Sequence, residues 1–153
     1  MRIFAKTGFF LLFTSVTGSA GSTVPLTHTL KTQTSQISPS AAGSQVIKAS
    51  TSRMVATYAC RNVVDGGHAE YNKALREAED AFTLATNDRA KAKEMVSVLD
   101  KRLENDDPGA QLQRQFDEVM AGPAMRIQTC ENLVLGSEQR AGEALQNLRK
   151  SNL

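Results

Sequence analysis

The chain has little of the chemistry that enzymes are built on. Its 153 residues hold two histidines, His28 and His68, and two cysteines, Cys60 and Cys130. Cys–His nucleophilic catalysis needs a reactive thiolate beside an oriented base, and cysteines on two separate helix faces, oxidised to each other, do not provide it. The Gly-x-Ser-x-Gly elbow, Ser-x-x-Lys and the Cys-x-x-Cys-His haem-attachment run are all missing. Neither cysteine has a second ligand at zinc spacing. The acidic corner Glu104-Asn105-Asp106-Asp107 lacks the alternating ligands and midpoint glycine of a calcium loop, and helix capping accounts for it. Gly66-Gly67 follows no strand, so it is not read as a phosphate cradle. The sequence thus nominates no catalytic residue, no metal ligand and no cofactor-binding residue.

Acids are absent from the first 44 residues, and so is any apolar run long enough to span a membrane. Arg2 and Lys6 precede the short run from Gly8 to Val16, and Gly18-Ser19-Ala20 places small residues on either side of the −2 position of a cleavage site. The run is about half of the roughly 20 residues a membrane-spanning helix needs. Residues 1–20 are therefore read as a signal peptide cut near Ala20. The protein is expected to be exported, periplasmic or extracellular, with no membrane span in the mature chain.

Cleavage leaves 133 residues (153 − 20) and removes two of the 18 basic residues, so 16 Lys+Arg then balance 16 Asp+Glu. No basic stripe with interleaved aromatics remains. Tyr58, Tyr71, Phe82 and Phe116 all sit in apolar patterns, which argues against a nucleic-acid partner. Residues 21–44 contain ten Ser/Thr, two prolines and no acid or aromatic. Such a composition buries too little apolar surface to offset its ordering entropy. It reads as a flexible tail ahead of a helical domain over 45–150.

What remains is helical patterning, and no strand-like alternation competes with it. A first helix is expected over about 41–64, ending at Asp65-Gly66-Gly67. The clearest element begins at Tyr71. Positions 71, 75, 78, 82, 85, 89, 92, 96, 99 and 103 step by four and three without a slip. They read Tyr71, Leu75, Ala78, Phe82, Ala85, Arg89, Ala92, Val96, Leu99 and Leu103, a coiled-coil-like seam that only Arg89 interrupts. Thr86-Asn87-Asp88 invites a break, but the unbroken register favours one helix over about 68–104. Asp107-Pro108 then offers a start signal for a further helix, which Gly122-Pro123 interrupts. The fold class is all-α: an antiparallel helical bundle of three to five long helices.

Cysteines of an exported chain usually pair, and a Cys60–Cys130 disulfide constrains the topology. In a straight three-helix hairpin with turns near 66 and 106, Cys130 lies some ten residues out of level with Cys60, roughly 15 Å at 1.5 Å per residue. A disulfide needs Cα atoms within about 7 Å. Additional reversals near 87 and 122 would bring the two into register, at the cost of a tight turn without glycine at Asn87. A kinked last helix with a sliding loop at 121–124 is an intermediate solution, and a bridge between chains would lift the constraint.

The residues present point to an exported interaction module that binds a protein partner, or a second copy, through helical faces. An envelope adaptor or secretion-system accessory fits this description. A small-ligand or cofactor carrier, with an inter-helix pocket lined by Met54, Met95, Met120 and Met125, is the alternative.

Overall fold

A computed structural model describes residues 39–152. The expected signal peptide and residues 21–38 of the expected tail lie outside the described residues. Five helices are present among those described: α1 (Pro39–Cys60), α2 (Gly67–Thr86), α3 (Arg89–Asp106), α4 (Pro108–Glu118) and α5 (Pro123–Ser151). The all-α class holds, and no helix among the described residues is long and apolar enough to cross a membrane.

Helix α1 is the axis on which the others are laid. It packs along both α2 and α5, while α3 packs chiefly on α2 and α4 on α1. The start of α1 meets the end of α2, where Gly43 lies against Ala85. At the opposite end Tyr58 and Tyr71 make an edge-to-face pair with ring centroids 5.1 Å apart. Alanines make these approaches close: Ala42, Ala78, Ala81, Ala92 and Ala144 are buried around the fully buried Phe82, Met54 and Val46. Helix α1 begins at Pro39, two residues before the expected start near 41 and inside the stretch assigned to the tail, and the burial of Ala42 shows why. A small side chain at the entry of α1 lets the helix continue down onto α2.

The single helix expected over 68–104 is two helices, and the chain reverses between them. Asn87 takes a left-handed conformation (φ 52°) and Asp88 caps α3 by accepting from the Lys91 amide. The reversal brings Tyr71 near the start of α2 to Asp100 near the end of α3, with the phenol donating at 2.5 Å. Asparagine tolerates the left-handed region because its short amide can bond locally, so no glycine is needed.

The first helix also ends earlier than expected. Residues 61–66 form a turn, with Gly66 at φ 71°. Gly67 has no room for a side chain, because a Cβ there would stand 2.5 Å from the Arg61 carbonyl oxygen. At the next corner Asp107 serves two helices at once. Its amide donates to Leu103 of α3 while its carboxylate accepts from Ala110 of α4, and Pro108 occupies the first turn. The break at Gly122-Pro123 is preceded by a tight wrap over the end of α4. There the Ala121 amide donates to Phe116 and the Met120 amide to Asp117, with Met120 left-handed at φ 51°. Arg126 fixes the corner by donating to the Ala121 carbonyl at 2.7 Å and to Asp117 at 2.8 Å.

Candidate functional site

All nine apolar seam residues sit in or against the main core. Tyr71, Ala78, Phe82, Ala92, Val96 and Leu103 are buried, with Leu75, Ala85 and Leu99 packed against them. Arg89, which interrupts the series, is exposed at the first position of α3 and reaches back to Glu79 at 3.4 Å. The seam is thus consumed by the fold's own core and leaves no free face there.

Cys60 and Cys130 are bonded to each other across 70 residues of sequence, with Cα atoms 5.4 Å apart. The bridge is buried in a second, smaller cluster with Phe116 and Ala121, flanked by Val63, Val64, Leu112 and Val134. It ties the end of α1 to the first half of α5 beside the α4–α5 corner. The reversals at 87 and 122 bring the two cysteines level.

The four methionines proposed as a pocket do not converge. Met54 is in the main core, Met95 packs against it, and Met120 and Met125 are exposed. His68 is exposed and its Nε2 lies 3.0 Å from the Asn62 side-chain oxygen. No group of three His, Cys, Asp or Glu among the described residues is placed to hold a metal.

A charged centre that the sequence did not announce lies between α1, α2 and α5. Arg53, on the face of α1 between its neighbours, is 7% exposed. Its guanidinium meets Glu70 at 2.9 Å and Glu138 at 3.1 Å, and it also pairs with Glu77. Lys73 stands over the same carboxylates, 3.6 Å from Glu70 and 3.4 Å from Glu138. The Arg53 Nε has no hydrogen-bond partner. Three carboxylates against two cations leave the centre one negative charge in formal excess. The group is structural in the first place: it bolts both flanking helices to α1.

On either side of this centre the structure is open. Helices α2 and α5 both lie along α1 but barely touch each other. Two cavities share Glu138, the first between α5 and the 63–66 turn with Glu70 at the start of α2, the second between α5, α2 and α1. One, of about 470 Å³, lies towards the disulfide and is walled by Val63, Val64, Ile127, Val134 and Leu135, with Asp65, Glu70, Glu131 and Glu138 around it. The other, of about 330 Å³, lies towards the far end of α5 and is floored by Ser50 and Arg53 with alanines and a glycine on its walls. The larger forms the α2/α5 groove, apolar at its sides and ringed by acids. The Arg53–Glu138 and Lys73–Glu138 pairs separate it from the smaller, which Arg53 and Arg149 line. Leu135 remains 54% exposed and Ile127 42% exposed at the groove's edge. Sequence patterning missed the groove because it is defined by what α5 fails to cover. The one available signal was the apolar excess of α5 around Cys130, which exceeds what a single contact with α1 can bury.

The chain matches no known protein family, no curated protein and no solved structure.

Proposed function

We propose that the protein is an exported helical interaction module whose α2/α5 groove receives a partner protein, and that it has no catalytic role. The observation that carries this reading is the open groove itself. Large apolar side chains of α5, Ile127 and Leu135 among them, stand half-exposed beside a cavity of about 470 Å³. Monomers rarely leave contiguous apolar surface of this kind unfilled, and where they do it usually marks a binding surface. An architecture in which α1 is gripped from both sides and held by a charged bolt and a disulfide would keep such a groove preformed, which lowers the ordering cost of binding.

The finer architecture belongs to the same reading. The pairings Gly43 with Ala85, Tyr58 with Tyr71 and Tyr71 with Asp100 support an antiparallel bundle, its α2–α3 seam knitted at coiled-coil spacing. Export is supported by the basic start, the short apolar run and the small residues ahead of Gly21, together with a disulfide, which persists mainly in oxidising compartments.

Affinity retrieval from cells that make the protein tests the function. The wild-type chain is expected to bring down a defined partner that the Leu135→Asp chain does not, while both keep the same circular-dichroism melt. Equal retrieval by the two would remove the groove from the function. A chromophore band in the purified protein would favour the carrier alternative.

A further inference from the structure

Resting on the reading of the α2/α5 groove as a docking site, we infer that its occupant is a cationic amphipathic helix of a partner protein.

The sign of the partner follows from what the groove leaves unpaired. Asp65, Glu70, Glu131 and Glu138 surround the larger cavity, and no Lys or Arg lines it. Glu70 and Glu138 already pair with Arg53 and Lys73. Asp65 and Glu131 make no ion pair among the described residues, and both are exposed. A neutral or acidic occupant would strip water from these two carboxylates and return nothing. A Lys or Arg on the occupant supplies the missing charge and excludes acidic competitors.

The shape of the partner follows from the walls. From Ile127 to Glu138 the α5 side of the groove spans 11 residues, about 16 Å at 1.5 Å per residue, or three turns of a docked helix. Ile127, Val134 and Leu135 offer apolar anchorage along it. A helix laid between two others presents its own apolar stripe at three- and four-residue spacing to such a channel. Its cationic residues then fall at the rim, within reach of Asp65 and Glu131.

The test is a titration of the full exported chain, disulfide intact, with a fluorescent 18-residue helical peptide carrying Leu on one face and Lys on the other. A counterpart with Glu replacing every Lys serves as the comparison. The lysine peptide is expected to bind saturably and at least tenfold more tightly than the glutamate peptide. Glu131→Lys and Leu135→Asp are each expected to weaken it tenfold or more. Glu104→Lys, which makes the same charge change on the remote α3, should change it less than twofold.

Three results would overturn the inference: no saturable binding, equal binding of the glutamate peptide, or equal losses from Glu131→Lys and Glu104→Lys. Sedimentation of the chain alone as a dimer that Leu135→Asp dissolves would overturn it too, because a second copy would then fill the groove. If the lysine peptide fails while Leu135-dependent retrieval of a partner succeeds, the cationic occupant falls and the docking reading stands. Failure of both removes the docking reading itself.

Discussion

Tyr71 holds three helices with one side chain. Its ring packs on Tyr58 of α1, and its hydroxyl donates to Asp100 of α3 at 2.5 Å. Burial pushes its ionisation well above the ordinary phenol range, and the hydrogen bond and charge of Asp100 push it further. Because the folded value lies above the unfolded one, the stabilisation is fully present below the unfolded value of about 10 and is lost as pH rises beyond it. Tyr71→Phe is expected to cost about 1–2 kcal/mol at pH 7 by urea unfolding. The variant should also lose stability less steeply than the wild type above about pH 10. Met120 makes the opposite prediction. It is left-handed and 89% exposed, so its side chain contributes no packing while its backbone carries the cost of that conformation. Met120→Gly should raise stability by about 0.5–1 kcal/mol, the left-handed penalty exceeding the added glycine entropy.

Between helices the decisive contact is Arg53, a buried cation shared by carboxylates of α2 and α5. Replacing it by Met leaves Glu70, Glu77 and Glu138 facing one another with only Lys73 between them. Arg53→Met should cost about 1–2 kcal/mol, because the carboxylates left behind are roughly a third or more exposed and water takes up part of their charge. Adding Glu138→Gln in that background should restore part of the loss, and the double-mutant cycle by chemical denaturation measures the coupling. Sequence reading could not reach this contact, since a lone Arg among apolar positions of α1 carries no sign of partners 17 and 85 residues away. The seam was legible because it is local: every apolar position named from spacing lies in or against the core. The reversal at Asn87 escaped because α2 and α3 turn the same seam inward, so apolar spacing runs across the break without slipping. The interruption at Arg89 was the trace it left. An apolar position falling on the first residue of a new helix, outside the core, can be charged without cost.

At the scale of the molecule one covalent link governs the half that carries the groove. The bridge closes a 70-residue separation, for which the chain-entropy account gives about 4 kcal/mol. Reduction should lower unfolding stability by roughly that amount. The loss should not be even. The first half of α5 is exposed on most sides around Cys130 and is held to the rest by that residue and the Phe116 cluster. Hydrogen exchange after reduction is expected to show α4 and residues 123–135 opening first, with α1, α2 and α3 protected. The two cysteines were at odds with a straight three-helix hairpin and allowed reversals near 87 and 122 as one solution, while the unbroken seam favoured a single helix over 68–104. The groove was out of the sequence's reach, because a cavity depends on the distance between α2 and α5 and no residue pattern encodes that distance directly.

If the protein acts through the groove beside α5, a partner must touch Leu135 and not the far side of the bundle. Site-specific photo-cross-linking in cells that make the full chain tests it most directly, with the reactive residue placed at Leu135 in the groove or at Val98 on the outer face of α3, both half-exposed or more. One defined adduct is expected from position 135 and none of that mass from position 98. Adducts of the same partner in equal yield from both positions, or none from 135, would contradict it.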